Sequence, residues 1–371
     1  MTTFSRRTVA TLTCTIASVL TLTAALPSQS ALDPRQWPLD TAHFDAARIW
    51  PLATGGGVIV AVLDTGVSVK APGLEGRLEQ GADFTDTAAD GTVDTSSDSH
   101  GTSVAALIAD AQGSDVVGLA PEATILPVRV TEGTGETPTA LAEGITYAID
   151  HHARVINISM GTPVDDPQVS AAVEYAVQHN IIVVAAVGND GTDGNAPQYP
   201  ADLPGVLAVS GSRRDNSAWP LSEYGSYVSL AAPAENIYLT DANGEHGLGS
   251  GTSYAAPYVS AAAALLISRY PDETAGQIIS RLITTAVRPT AVPNPSAQLG
   301  HGVVNPYGAL TAPTPAEIGN PLIQDAAGAV PKSSPPHRDG SPWWPYPAAG
   351  ALLLAPLCSW LIVKKLKARK N

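Results

Sequence analysis

Three residues far apart in this chain could together do nucleophilic chemistry: a serine, a histidine and a carboxylate. Ser253 lies in the stretch Gly249-Ser250-Gly251-Thr252-Ser253-Tyr254-Ala255-Ala256-Pro257. There small residues run into an apolar segment, 258–267, that reads as a buried helix. A serine at such a junction sits at a helix N-terminus, where unpaired backbone N–H groups favour negative charge, as on an alkoxide or a tetrahedral oxyanion. A serine hydroxyl is a poor nucleophile at neutral pH and needs a base to take its proton and a carboxylate to orient that base. His100, opening His100-Gly101-Thr102-Ser103-Val104-Ala105, is the natural base. Asp64 ends the apolar run Val60-Ala61-Val62-Leu63 and is followed by Thr65 and Gly66, where a buried strand turns into a loop. A carboxylate at that edge can reach an imidazole while staying shielded from water. Taken singly, Gly-Thr-Ser also reads as a helix cap beside a glycine turn, and Asp64 as a strand-end turn residue. The set Asp, His, Ser in that chain order points instead to an acyl-transfer hydrolase. No other histidine has a comparable context; His151, His152 and His179 close helical patterns and read as surface residues.

The elements that must hold these groups are legible as an alternation. Runs rich in β-branched residues at 58–63, 124–130, 155–158, 181–186 and 206–209 suit strands buried on both faces. Helical patterns at 102–112, 138–151 and 167–179 lie between them. Thr137-Pro138 and Asp166-Pro167 each pair an N-cap residue with proline at the first helical position. Thr274 with Gln277 makes a capping box, followed by an apolar face of Ile278, Ile279, Leu282 and Ile283. Strand and helix alternating in this way predict an α/β fold, a parallel sheet with helices on both faces. In Ala185-Ala186-Val187-Gly188-Asn189-Asp190-Gly191, Asn189 follows an apolar strand among glycines that let the backbone pass close to a ligand.

Charge and texture set the rest of the organisation. The 371 residues carry a formal net charge of −14, although Arg6, Arg7, Lys364, Lys365, Lys367, Arg369 and Lys370 crowd positive charge at the two ends. The body between is therefore strongly acidic, which disfavours nucleic acid as a partner. The cysteines, Cys14 and Cys358, both fall in apolar terminal segments, so the body can form no disulfide and no Cys-ligated zinc site. The acidic, Gly-rich run 190–194 lacks the ligand spacing of a calcium loop and reads as a solvated turn, so neither a metal nor another cofactor is expected. Residues 1–30, a basic pair followed by an apolar run and small residues, read as a secretory signal, with an uncleaved anchor as the alternative. Residues 31–57 form an N-terminal extension, 58–311 the main domain, and 312–342 a Pro-rich linker expected not to pack. Residues 343–363, with Trp343, Trp344 and Tyr346 on one flank and lysines on the other, read as a transmembrane helix, followed by a basic cytoplasmic tail at 364–371.

The motifs around Asp64, His100, Asn189 and Ser253 resemble those of subtilisin-type serine proteases, from about residue 50 to 310. More narrowly, Gly251 to Ser260, Gly300-His301-Gly302-Val303-Val304-Asn305-Pro306 and the tail resemble the mycosins, membrane-anchored proteases associated with type VII secretion. The resemblance implies a subtilisin-like fold in which Asp64, His100 and Ser253 form the catalytic triad. It also implies that the side-chain amide of Asn189 forms the oxyanion hole with the N–H of Ser253. Ser159, Met160 and Gly161, and on the other side Gly133, Thr134 and Gly135, would grip an extended polypeptide by backbone pairing. It places the catalytic domain outside the cell membrane, in the service of a membrane-embedded type VII secretion complex. Residues 31–57 would pack on the catalytic domain, being too short for an independently folded propeptide. A second reading stays open, in which the folded domain caps or stabilises that complex and proteolysis is dispensable. The chain departs from the family pattern at Ala106 and Ala234, where the family has glycine, and in lacking the ectodomain cysteines that mycosins often carry.

Overall fold

The alternation becomes one parallel sheet. Its strands are Ile59–Asp64 (β1), Ala82–Asp83 (β2), Thr124–Arg129 (β3), Val155–Ile158 (β4), Ile182–Ala186 (β5), Leu207–Ser212 (β6) and Leu230–Pro233 (β7), in the order β2-β3-β1-β4-β5-β6-β7. Ile237–Thr240 (β8) and His246–Gly249 (β9) form a separate antiparallel hairpin. The helices are Ala46–Ile49 (α1), His100–Ala109 (α2), Pro138–Asp150 (α3), Pro167–Gln178 (α4), Thr252–Arg269 (α5), Ala275–Thr284 (α6) and Pro306–Thr311 (α7). This is a computed structural model, and it describes residues 32–133, 137–289, 293–316 and 319–323.

Each strand feeds two cores because successive side chains point to opposite faces. In β1, Val60 and Val62 join the cluster containing α2 and α5, whereas Ala61 and Leu63 join the cluster containing α3 and α4. In β5, Ile182 and Val184 share the first face, and Val183 and Ala185 the second. Helices therefore cover both faces, as the near-continuous apolar runs require. Each Val or Leu fully buried in this way contributes about 1.5–3 kcal/mol. α5 is buried all round, from Ala255 through Ile267, and runs through the centre of the first core.

Capping chemistry sets the helix ends where the sequence showed it. The Thr137 hydroxyl accepts from the Ala140 N–H, and the Asp166 carboxylate accepts from Gln168 N–H at 2.8 Å. Thr274 and Gln277 form the reciprocal box, at 3.1 and 3.0 Å. Two starts differ from the sequence reading. α2 begins at His100 rather than 102, and α5 begins at Thr252 and runs through Pro257 rather than starting after it.

Residues 32–57 lie against the first core, with Trp37, Phe44 and Ile49 buried there and the Gln36 side-chain amide donating to Val117 O at 3.0 Å. The segment expected from residue 312 as an unpacked linker is instead anchored as far as it is described. Gln277 donates to Pro315 O at 2.9 Å, Asn320 donates to Gly205 O at 2.9 Å, and Leu322 is buried in the core. Arg281, buried on α6, holds the start of this segment. Paired with Glu273 at 2.6 Å and stacked 4.0 Å from the Tyr270 ring, it donates to the carbonyls of Ala309 and Ala312 and the hydroxyl of Thr314. Among the described residues no helix is long and apolar enough to cross a membrane. The expected signal at 1–30, transmembrane helix at 343–363 and basic tail at 364–371 lie outside the described residues.

Candidate active site

The carboxyl ends of three adjacent parallel strands converge on one edge of the sheet. Asp64 ends β1, Ser159 follows β4 and Asn189 follows β5. The strand order reverses between β1 and β4, the place where open α/β sheets leave a crevice for ligands.

Asp64 is fully buried and its Oδ1 accepts from His100 Nδ1 at 2.7 Å and from the Thr65 N–H at 2.8 Å. Its Oδ2 is buried with no partner among the described residues. His100 is the first residue of α2, so its position depends on how that helix starts. The local sequence has no side-chain N-cap, because Ser99 turns the chain in the left-handed region with φ 51°. The orphan donors of the first turn are met from elsewhere: His100 N–H by Ser96 Oγ at 3.3 Å, Gly101 N–H by Thr65 Oγ1 at 3.0 Å and Thr102 N–H by Asp94 Oδ2 at 3.1 Å. Thr65 in turn donates to Asp94 Oδ1 at 3.1 Å. The loop leaving β1 is thus bonded to the helix that carries His100, which holds carboxylate and imidazole together. Gly101 permits the close approach, since a methyl there would stand 2.2 Å from Gly66 O and 3.1 Å from Asp64 Cβ.

Ser253 is the second residue of α5, half-buried, and its hydroxyl makes no hydrogen bond to a described residue. Its surroundings are heavily constrained. Pro257 has no N–H, so the Ser253 carbonyl four residues earlier loses its helical donor. Ser159 Oγ supplies the replacement at 2.8 Å; Asn157 Nδ2 donates to that Oγ at 2.9 Å, and Ser260 Oγ donates to Asn157 Oδ1 at 2.8 Å. This bridge is why a proline is tolerated inside the helix. Thr252 ties the helix to the loop after β5: its N–H donates to Asn189 Oδ1 at 2.8 Å, and its hydroxyl donates to Gly188 O at 3.2 Å and accepts from Gly188 N–H at 3.1 Å. Asn189 is thereby held by its oxygen, and its Nδ2 has no protein partner among the described residues. Ser253 Oγ and Asn189 Nδ2 flank Gly251, at 3.1 and 3.7 Å from where a methyl on it would stand. Tyr254 brings the same turn to His100, ring centroids 5.6 Å apart.

Ser159, Met160 and Gly161 line a cavity of about 250 Å3 with Asn189 and Ser253. Gly133 lies apart from that cavity, with Thr65 and Ser96 side chains 3.8 and 3.9 Å from a methyl placed on it. Thr134 and Gly135 lie outside the described residues. His151 and His179 are exposed and bond back to the Tyr147 and Tyr175 carbonyls of their own helix ends, at 2.8 Å each. Thr65, Asp94, Ser96, Thr252 and Ser260 were not singled out from sequence. Thr65 beside Asp64, and Thr252 and Ser260 within the Ser253 motif, stand in marked stretches but carry no mark of their roles, and Asp94 and Ser96 have no local signal.

Burial opposes protonation of the His100 ring, but the Asp64 carboxylate outweighs it through charge and hydrogen bond. Asp98 and Asp94 add to this, and the pKa is pushed up to about 9. A ring with a raised pKa holds its proton until the pH passes that value, so the free base is scarce on the acid side. The expected result is a kcat/KM for peptide hydrolysis that rises with pH through a midpoint above 6.5, towards about 9. A pH–rate profile checks it; an acid limb at or below 6.5 would refute it.

These features define a serine-hydrolase class of site, and the family relationship is direct. Residues 55–308 match the peptidase S8 subtilase family model, and the chain belongs to this family of serine endopeptidases. It is 36% identical to thermitase of Thermoactinomyces vulgaris over 268 residues, 71% of this chain and 92% of that one. It is 34% identical to mycosin-1 of Mycobacterium tuberculosis over 346 residues, 77% of this chain and 75% of that one. The solved structure of the serine protease MycP1, described as an essential component of the type VII (ESX-1) secretion system, matches with a TM-score of 0.66 at 34% identity, covering 77% of this chain and 91% of that one.

Proposed function

We propose that this subtilase is a membrane-anchored, extracytoplasmic endopeptidase that cuts polypeptides in the service of a type VII secretion system. Ser253 is the nucleophile, His100 the base that takes its proton and later returns it to the leaving amine, and Asp64 the carboxylate that holds the Nδ1–H tautomer. Among the described residues the Ser253 hydroxyl has no hydrogen-bond partner; such contacts tighten when substrate binds. The tetrahedral oxyanion is held by Asn189 Nδ2 and the N–H of Ser253, at the positive end of α5. The observation that carries the hydrolytic reading is the 2.7 Å bond between buried Asp64 and partly exposed His100, set beside the first turn of α5. Anchoring rests on the apolar 343–363 segment with its basic flank, and the secretion context on the similarity to mycosins.

The test compares three strains: wild type, deletion, and Ser253→Ala held at wild-type membrane abundance. With the protein fractionating with membranes, secretion is expected to fail in the deletion strain and to be impaired, to a lesser degree, by Ser253→Ala. Recovery of the full chain in the soluble fraction would sink the anchored model. Normal secretion in the deletion strain would sink the secretion role.

A further inference from the structure

The cavity beside Ser253 contains a buried acid that the mechanism above does not use. Glu223 lines it, together with Ser159, Met160, Asn189, Asp190 and Gln198. Glu223 is only 1% exposed. Its Oε1 accepts from Gln198 Nε2 at 3.2 Å, while its Oε2 is buried and accepts from nothing among the described residues. The residue is fixed from behind, its N–H donating to Gly188 O at 3.0 Å. The carboxylate lies against the Gly188 α-carbon, where φ is +103° and a methyl would stand 2.7 Å from Oε2. Gly188 immediately precedes Asn189, so this acid and the amide assigned to the oxyanion share one loop.

A buried carboxylate oxygen without a donor is costly and is seldom left so without a role. Among the described residues no lysine or arginine lines the cavity, and the second acid on its wall, Asp190, adds negative potential. Burial, reinforced by the Asp190 charge and partly offset by hydrogen bonding from Gln198 and the Asp190 backbone, raises the Glu223 pKa. Met160 offers an apolar wall to an aliphatic stem.

We propose that Glu223 is a specificity-determining residue: the side chain of the residue whose carbonyl Ser253 attacks enters this cavity and is selected as lysine or arginine by Glu223 Oε2. The inference rests on Ser253 being the nucleophile, because that is what makes this the cavity for the residue preceding the cut.

The test uses the purified full chain and peptides that differ only in that residue: Lys, Arg, Gln, Leu or Phe. Labelling of Ser253 by a broad fluorophosphonate is measured alongside. The Lys and Arg peptides should exceed the Leu peptide in kcat/KM by about 10- to 100-fold, the range of a charge-assisted hydrogen bond. Glu223→Gln should bring that ratio towards one. Labelled enzyme that prefers Leu, Phe or Gln overturns this assignment alone, as does a Glu223→Gln variant that slows all five peptides equally, which a structural role would produce. No labelling overturns the catalytic reading and this one with it. Should Glu223→Gln fail to fold, the wild-type series decides the question.

Discussion

Ser253→Ala is expected to lower kcat for peptide hydrolysis by about 10⁶-fold, a scale taken over from subtilisin, and to abolish labelling by a fluorophosphonate. The loss should come without unfolding. The hydroxyl makes no hydrogen bond to a described residue, and the Ser159 bond that holds this turn goes to the Ser253 carbonyl, which alanine keeps. Thr252 and its bonds to Gly188 and Asn189 are likewise untouched. Circular dichroism and thermal melting should therefore match wild type while activity disappears. Persistent labelling of a folded Ser253→Ala protein would mean that another residue is the nucleophile.

Asn189→Leu should cut kcat by about 10²–10³-fold and change KM little, the magnitude of losing one oxyanion donor. The Asn189 oxygen is already committed to Thr252, which leaves Nδ2 as the group that can meet charge appearing on the scissile carbonyl. That charge exists in the transition state and not in bound substrate, hence the split between kcat and KM. Leucine also leaves the Thr252 N–H without its acceptor, so the melting temperature should fall somewhat. Steady-state kinetics on the folded fraction separates the two effects. A raised KM with unchanged kcat would remove Asn189 from the oxyanion site.

Both substitutions target residues that local pattern exposed. Asp64, His100, Asn189 and Ser253 were legible because each stands at a junction marked by short-range signals: the end of an apolar run, a glycine beside a polar group, a small-residue turn before a helix. The parallel sheet was legible for the same reason, since strands such as Val155–Ile158, buried on both faces, must be apolar at successive positions. The caps at Thr137, Asp166 and Thr274 act within four residues of themselves, so they too were readable.

Tertiary structure decided what holds those groups in place. α2 starts at His100 because Thr65, Asp94 and Ser96 satisfy its first donors, and the Thr65 bond spans 36 positions. α5 runs through Pro257 because a hydroxyl 94 positions away replaces the missing donor to Ser253 O. From sequence, the same proline reads as a boundary. The chain from residue 312 reads as linker, yet Arg281 on α6 holds its start through the Ala312 carbonyl and the Thr314 hydroxyl. Glu223 carries no local mark at all, and its significance comes from burial beside Gly188, more than thirty positions earlier in the chain. Periodicity and capping are imprinted in neighbouring residues, so the sequence alone marked five of the sheet's strands, the main helices and the reactive residue types, but not the short strands β2 and β7, the β8–β9 hairpin or the short helices α1 and α7. Hydrogen bonds and desolvation between distant residues exist only once the chain has folded, so the structure alone determined how the site is held.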